Sequence, residues 1–127
     1  MQVAITVELT IAQELAKQGK PVPAPVSGFG LIDTGASVTC IDDDLAKKLG
    51  LPVIDQMKMY SASHAGTTQN VYPIQMVISG LNFTLNVPRA MGASLAALGI
   101  VALIGRDALQ MCTLFYNGLN GEVTISI

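Results

Sequence analysis

The two ends of the chain alternate strictly between apolar and polar side chains, in residues 1–9 and again in residues 122–127. Because successive side chains of a strand point to opposite faces, a period of two predicts strands with one buried face. Gly, Asn and Pro turns divide the chain between these ends into further short apolar runs. These runs predict strands over residues 26–32, 57–60, 70–72, 74–78, 83–87, 100–104 and 112–116. The sequence therefore predicts a mostly-β fold.

Two segments have the spacing of helices. Residues 10–20 place apolar side chains four apart and predict a short helix, after which Pro21, Pro23 and Pro25 predict an extended connector. Residues 42–50 predict the clearest helix, with three acidic residues at its positive end, two lysines at its negative end and a final glycine. The acidic trio could instead bind a metal, but helix capping explains it better.

The composition predicts one domain over residues 1–127, with part of its surface covered by a partner. A chain of 127 residues is long enough for a core of its own. Half of the residues are hydrophobic and only 13% are charged, against a typical value of about 25%. The seven Lys and Arg residues are scattered and the net charge is −2, which argues against a nucleic-acid partner. No basic amphipathic segment predicts membrane binding.

The start of the chain and its few sulfur and imidazole groups exclude further classes. The first ten residues lack the basic start and unbroken apolar run of a signal peptide, which predicts a cytoplasmic protein. Two cysteines, Cys40 and Cys112, cannot form a disulfide framework and are expected to be small buried thiols. With His64 as the single histidine, neither a zinc site nor another metal or cofactor is expected.

Residues 31–37 read Leu-Ile-Asp-Thr-Gly-Ala-Ser, so that an ionisable residue, Asp33, directly follows an apolar strand. Burying an unpaired charge is strongly unfavourable. Asp33 is therefore expected either to begin a turn after the strand or to be held there for chemistry. Further along the chain, residues 103–109 read Leu-Ile-Gly-Arg-Asp-Ala-Leu and bring a second apolar strand to a glycine and a short helix.

This pair of motifs, with a glycine-bearing hairpin predicted between them over residues 57–72, resembles the retropepsin-like aspartic proteases. The resemblance runs from Phe29 to the end of the chain, and the order of strands, motifs, helix and hairpin agrees with it. The helical and proline-rich segment over residues 10–25 departs from the compact viral members and is more like cellular or bacterial relatives. The resemblance implies a closed β-barrel with one or two short helices that is active as a twofold dimer.

The resemblance also implies a role for the first motif. Asp33 would be the catalytic carboxylate, and Thr34, Gly35, Ala36 and Ser37 would form the loop around it. Thr34 would hydrogen-bond across the dimer, and Gly35 would let backbone and substrate approach closely. Because the chain has one such motif, the second carboxylate must come from Asp33 of another copy, related by a twofold axis. Two close carboxylates share one proton, and in this class they activate a water between them.

The hairpin and the second motif are given supporting roles. The hairpin would be a flap that closes over a polypeptide substrate, although an ordinary surface hairpin is the alternative. The second motif would be structural, with its aspartate opening a helical turn and pairing with an arginine. The implied flap residues are His64, Ala65, Gly66 and Thr67, and those of the second motif are Gly105, Arg106 and Asp107.

The leading hypothesis is a homodimeric aspartic endopeptidase, whose terminal strands over residues 1–9 and 122–127 would interleave across the twofold axis. The alternative from another class is a non-catalytic dimerisation or peptide-binding module of the same fold. The intact Asp-Thr-Gly favours an enzyme, since a binding module needs no carboxylate there. A barrel that binds a small ligand explains neither motif. The substrate pocket is expected to be apolar, with Leu31 and Ile104 nearby.

Overall fold

The computed structural model describes residues 1–61, 64–81 and 83–127, with the side chains of residues 60, 61, 64 and 65 left aside. Within these residues the predicted mostly-β fold is confirmed. The strands are β1 Gln2–Val7, β2 Val26–Ile32, β3 Cys40–Asp42, β4 Asp55–Ser61, β5 His64–Ile78, β6 Thr84–Ala93, β7 Ala102–Ile104, β8 Thr113–Asn117 and β9 Glu122–Ser126. The helices are α1 Leu9–Lys17, α2 Asp43–Lys48 and α3 Arg106–Leu109, with a 3-10 turn over Ala96–Leu98.

Six strands close into a barrel in the order β1-β2-β7-β3-β6-β5, and β5 pairs with β1 to complete the ring. The alternation of β1 directs Val3, Ile5 and Val7 into the interior, where all three are buried. β1 pairs with β2 along one edge and with β5 along the other. Both edges of β1 are therefore occupied within the barrel, which leaves this strand no free edge for the predicted interleaving with another copy.

Both predicted helices are confirmed, and their ends have a physical cause. The carboxylate of Glu8 accepts hydrogen bonds from two backbone N–H groups in the first turn of α1. The carboxylate of Asp42 does the same for Leu45 at the start of α2, which supports capping as the role of the acidic trio. Gly19 and Gly50 follow the two helices with φ of 68° and 65°, a backbone conformation that glycine adopts without strain. No helix in the described part of the chain is long and apolar enough to cross a membrane.

The first hairpin, β4–β5, has longer strands than the sequence predicted. Its antiparallel pairing continues to Ser61 and His64, so most of the stretch between the strands predicted over residues 57–60 and 70–72 is itself strand. Cross-strand pairing explains the difference, because Thr67 and Thr68 are β-branched residues that suit a strand. The two residues between the strands, 62 and 63, lie outside the described residues.

β5 is one strand of 15 residues, where the sequence predicted two strands separated by Pro73. The register of β5 against β6 shifts between Tyr72 and Ile74, so Pro73 lies at a β-bulge and the strand continues past it. β6 likewise continues through Pro88 to Ala93, beyond its predicted end. The first half of β5 thus belongs to the hairpin and the second half to the barrel.

The second sheet consists of β8 and β9, which pair with each other. Within the described residues the pair has no strand neighbour in the barrel, so each of its strands has a free edge. Several large apolar side chains of this C-terminal hairpin are exposed, including Phe115, Leu119 and Ile127 at 67%, 98% and 65%. A free edge with exposed apolar side chains is a surface that other strands can pair with.

Candidate active site

The barrel brings the two sequence motifs together. β2 and β7 lie side by side in parallel, with Leu31 opposite Leu103 and Ile32 opposite Ile104. The two strands therefore end at the same edge, where the Asp-Thr-Gly loop meets the second motif. The backbone N–H of Asp33 continues the pairing by donating to the carbonyl oxygen of Ile104 at 2.9 Å.

The carboxylate of Asp33 both begins a turn and remains open. Its Oδ1 accepts a hydrogen bond from the backbone N–H of Gly35 at 3.0 Å, and its carbonyl oxygen accepts from the N–H of Ala36 at 3.1 Å. Within the described residues, Oδ2 of Asp33 accepts no hydrogen bond from the protein. The side chain is half-buried, and Thr34, Gly35 and Ser37 beside it are exposed. One carboxylate oxygen thus fixes the loop, while the other has no protein donor among the described residues.

Gly105 allows the two motifs to cross in close contact. A Cβ atom at Gly105 would lie 2.7 Å from both the carbonyl carbon and the carbonyl oxygen of Val38, and 3.0 Å from the carbonyl oxygen of Ala36. Real Cβ atoms do not approach backbone atoms so closely, and backbone atoms cannot rotate away. The loop that carries Asp33 therefore rests directly on a position without a side chain.

Arg106 fastens the Asp33 loop from its other side. Its guanidinium Nη1 donates to the carbonyl oxygen of Thr34 at 2.8 Å, and its backbone N–H donates to the carbonyl oxygen of Ala36 at 2.9 Å. A hydrogen bond from a charged donor is stronger than one between neutral groups. The guanidinium thus orients the loop backbone one residue after Asp33.

Asp107 has a different set of partners from the one expected. Its Oδ1 accepts hydrogen bonds from the backbone N–H of Thr39 at 2.9 Å, from the Thr39 hydroxyl at 2.6 Å and from the N–H of Ala108 at 2.8 Å. The expected arginine partner is wrong: in the described part of the chain, the ion pairs are Lys47 with Asp43 and Arg89 with Asp55. The threonine satisfies the carboxylate because β3 crosses directly beside the second motif.

Thr39 is the residue that sequence reasoning missed. It is fully buried, and its hydroxyl donates to Asp107 while accepting from the N–H of Gly105 at 3.1 Å. One buried hydroxyl therefore connects the strand after the Asp33 loop to the whole second motif. The sequence feature that could have indicated this role is the position of Thr39 within an apolar stretch. A threonine there is expected to be buried, and a buried hydroxyl needs hydrogen-bond partners.

Cys40, the cysteine nearest the Asp33 loop, has an unreactive thiol. Cys40 is buried, whereas Cys112 is only half-buried, contrary to the expectation of two buried thiols. The pKa of Cys40 is raised from 9.0 to about 11, mainly by burial and to a smaller extent by the nearby charges of Asp107 and Asp33. Since the thiolate is the reactive form, Cys40 stays protonated and unreactive at neutral pH.

An open groove lies beside the Asp33 loop, and its volume falls within the range of about 300–1,000 Å³ that is typical of ligand pockets. Its volume is about 480 Å³, and it separates the loop from strand β4 of the first hairpin. It is largely apolar, as expected, but Ile104 is buried in the barrel core and Leu31 lines another cavity with Met1 and Val123. The lining residues are Gly35–Val38, Cys40, Met57–Met59, Met91 and Leu103.

The four predicted flap residues lie at the start of strand β5, which pairs with β4 in the hairpin. Thr67 pairs with Met59, a groove-lining residue, and His64 pairs with Ser61. The register shifts between these two pairs, which places Ala65 and Gly66 at an irregularity of the strand. The hairpin thus borders the groove, and its action as a flap stays a prediction.

No cluster suited to a metal lies in the described residues: nowhere among them do three His, Cys, Asp or Glu side chains come together.

A barrel with an Asp-Thr-Gly loop, a structural second motif and a bordering hairpin has the architecture of the aspartic proteases. The family described as aspartyl protease matches residues 18–108, from the connector to α3. The match covers more than half of the chain, which therefore belongs to the aspartyl protease family. No curated protein matches the chain.

Proposed function

We propose that the protein is an aspartic endopeptidase that hydrolyses peptide bonds with the Asp33 carboxylates of two copies. Membership of the aspartyl protease family supports a peptidase. The observation that carries the proposal is the open Oδ2 of Asp33, on a loop whose other contacts hold it at the edge of an apolar groove. A carboxylate that served the turn alone would not need this groove beside it.

The chemistry follows from two carboxylates that are held close together. Repulsion between like charges makes it costly to ionise both, so the pair holds one proton between its members. The ionised carboxylate accepts a proton from the attacking water, while the protonated one donates toward the carbonyl oxygen of the peptide. The N–H of Gly35 keeps Oδ1 of Asp33 in place, which leaves Oδ2 for this proton transfer.

The second carboxylate comes from a second copy, because the chain carries one Asp-Thr-Gly. The exposed apolar side chains of the C-terminal hairpin support such an assembly, together with Phe29 and Leu31 at 55% and 53% exposure on the strand that leads to Asp33. Burying a side chain of this kind contributes about 1.5–3 kcal/mol. Since both edges of β1 are occupied, the contact between copies is assigned to β8 and β9.

The groove accepts an extended polypeptide between the Asp33 loop and the first hairpin. Met57 and Met59 line it from β4, and they share one face of that strand. Methionine side chains are flexible and polarisable, so they adapt to different apolar partners. Closure of the hairpin over the groove would exclude water from the reacting bond.

The decisive experiment is cleavage of a peptide library across pH by the wild type and by Asp33→Asn. We expect cleavage with an optimum on the acidic side of neutral, and a loss of at least about 10³-fold in the variant, since a general acid–base group is removed. Unchanged thermal unfolding of the nearly isosteric variant is the control. Binding of peptides without cleavage by the wild type would favour the non-catalytic module instead.

The assembly has its own test, the deletion of residues Val123–Ile127. Analytical ultracentrifugation of the truncated chain should find monomers, and peptide cleavage should be lost although Asp33 is untouched. Circular dichroism checks that the barrel remains, since β9 belongs to the separate sheet. An active dimer that lacks these residues would contradict this placement of the interface.

A further inference from the structure

A chain of side-chain hydrogen bonds connects the first hairpin to helix α2. Gln56 lies opposite Asn70 in the hairpin, and its amide nitrogen donates to the Asn70 side-chain oxygen at 3.2 Å. The amide nitrogen of Asn70 donates to the hydroxyl of Tyr72 at 3.3 Å. That hydroxyl donates to Oδ1 of Asp43, on α2, at 2.6 Å. This chain of side chains is the hairpin anchor.

The carboxylate end of the hairpin anchor is held firmly. Oδ2 of Asp43 pairs with the ammonium of Lys47, one turn later on α2, at 3.0 Å. The hydrogen bond from Tyr72 lowers the pKa of Asp43, against the opposing effect of burial, and Lys47 lowers it further. Burial and the bond to Asp43 raise the pKa of Tyr72. The carboxylate therefore stays an acceptor and the phenol a donor at neutral pH.

The neighbouring backbone makes room for this contact. A Cβ atom at Gly92 would lie 2.5 Å from Oδ1 of Asp43 and 2.9 Å from Cε2 of Tyr72. A side chain at position 92 would therefore separate the phenol from the carboxylate. The absence of one on β6 lets the phenol ring of a barrel strand reach the helix.

Tyr72 stands at the point where the hairpin leaves the barrel. The register shift between β5 and β6 begins directly after it, and the next residue is Pro73, which has no N–H to donate. A bulge with a missing donor is a place where a strand bends. The phenol is 1% exposed, so it is packed as well as hydrogen-bonded at this bend.

We propose that the Tyr72 hydroxyl is a positioning group, which fixes the base of the hairpin on α2 and so sets where the hairpin stands over the groove. The inference rests on the proposed peptidase function, because the hairpin then has a substrate to cover. Without the hydroxyl, the hairpin samples open positions, and the fraction of molecules ready to hold a peptide falls. A smaller competent fraction raises the apparent dissociation constant of the peptide by the same factor.

The test is Tyr72→Phe, which removes only the hydroxyl. We expect KM for a cleaved peptide to rise about tenfold while kcat changes less than about twofold, because binding rather than chemistry loses the fixed hairpin. Hydrogen exchange of the β4 amides should become faster, and that of the β1 amides should not. The matched control is Thr10→Val, which removes a hydroxyl that donates to the Glu8 carboxylate at 3.1 Å, on α1.

Each outcome decides the inference. A lower melting temperature in Tyr72→Phe, with KM and β4 exchange equal to those of Thr10→Val, would overturn it and leave the peptidase intact. If the wild type cleaves no peptide, the proposed function fails, and faster β4 exchange in the variant still supports the hairpin anchor. Should Tyr72→Phe not fold, Gln56→Ala at the exposed end of the hairpin anchor replaces it. In the variant that is used, a twofold or larger rise in KM or in the exchange rate of the β4 amides supports the inference. If both KM and that exchange rate stay unchanged, the inference is contradicted.

Discussion

Asp33 and Asp107 both follow an apolar strand, and β2 and β7, which lead to them, are neighbours in the barrel. Their surroundings differ sharply. Oδ1 of Asp107 accepts three hydrogen bonds from the protein, two of them from the buried Thr39. The Asp33 carboxylate accepts one from the part of the chain that the structure describes, donated by the N–H two residues later in its own turn.

The difference agrees with a structural role for Asp107 and with the catalytic role proposed for Asp33. Donors from two different segments converge on Asp107, so its charge joins α3 to Thr39, the residue directly before β3. Among the described residues, Asp33 receives a donor only from its own turn, and the groove lies beside that turn. The number and origin of the donors distinguish the two roles, although the sequences around the two residues look similar.

The largest effect on stability should come from adding a side chain at Gly105, where the second motif contacts the Asp33 loop. In Gly105→Ala, the new methyl group would meet two backbone atoms of Val38 at 2.7 Å. The backbone of Gly105, at φ −90°, suits alanine, so the cost is steric. We expect a loss of about 3 kcal/mol or more in the free energy of unfolding, at the upper end for overpacking. Urea denaturation measures it.

Gly118→Ala is the matched control for this substitution. A methyl group there would have its nearest neighbour, Cε1 of Tyr116, at an ordinary contact distance of 3.8 Å. The control should unfold at nearly the same urea concentration as the wild type. Equal stability of the two variants would mean that the two motifs do not depend on close contact.

A smaller loss is expected when the structural carboxylate is removed. Asp107→Ala leaves the N–H and the hydroxyl of Thr39 without their acceptor, and a buried unsatisfied group costs about 1–3 kcal/mol. Asp107→Asn keeps an acceptor oxygen and should lose about 1 kcal/mol, in line with a weaker, uncharged hydrogen bond. Urea denaturation compares the two. If Asp107→Ala unfolded like the wild type but lost cleavage, Asp107 rather than Asp33 would be the reactive carboxylate.

A moderate effect, on activity rather than stability, is expected from Arg106. Arg106→Gln weakens the hydrogen bond to the Thr34 carbonyl, which lies on the exposed side of the loop. Because a displaced catalytic group loses rate steeply, kcat/KM for peptides should fall about tenfold. Arg106→Lys keeps a charged donor and should recover part of the loss. A drop in stability that matches the drop in activity would instead mean that the arginine holds the fold.

The smallest effect concerns Cys40, which both carboxylates influence. With its pKa near 11 instead of 9.0, its alkylation at pH 8 should be about a hundredfold slower than that of an ordinary thiol. Mass spectrometry after iodoacetamide treatment measures this. Asp33→Asn and Asp107→Asn should accelerate the reaction only slightly, because burial is the main cause of the shift. Rapid alkylation in the folded protein would show that the groove around Cys40 opens to solvent.

The same pKa difference has a consequence for stability. The folded state holds the Cys40 proton between pH 9 and 11, where the unfolded state has lost it. The contribution of this group is therefore complete below pH 9 and decreases as the pH rises to 11. Cys40→Ser should remove that part of the pH dependence, and unfolding measurements along a pH series check it.

Local patterns predicted much of this fold. The bounds of β2 and the cap of α2 follow from residues close together in sequence, as does the alternation that directs Val3, Ile5 and Val7 inward. The Asp33 loop could be predicted for the same reason, because its turn is closed within the Asp-Thr-Gly motif itself.

Contacts between distant segments could not be predicted. Thr39 meets Asp107 across 68 positions, and a single chain gives no sign of which donor will reach which acceptor. The bulge at Pro73 is similar: the proline reads as a strand end, and only the pairing partner β6 shows how β5 continues. The occupied edges of β1 also depend on β5, whose register no local pattern fixes.

Barrel closure also determines when the Asp33 loop can form during synthesis. A chain grows from its N-terminus at about 5–20 residues per second. Asp33 therefore leaves the ribosome well before Gly105 and Arg106, on which its loop rests. Pairing between distant segments is slow to form, and here it must wait for β7. A nascent chain is thus expected to carry an unassembled loop until β7 and the second motif are made, so translation itself delays the appearance of the site.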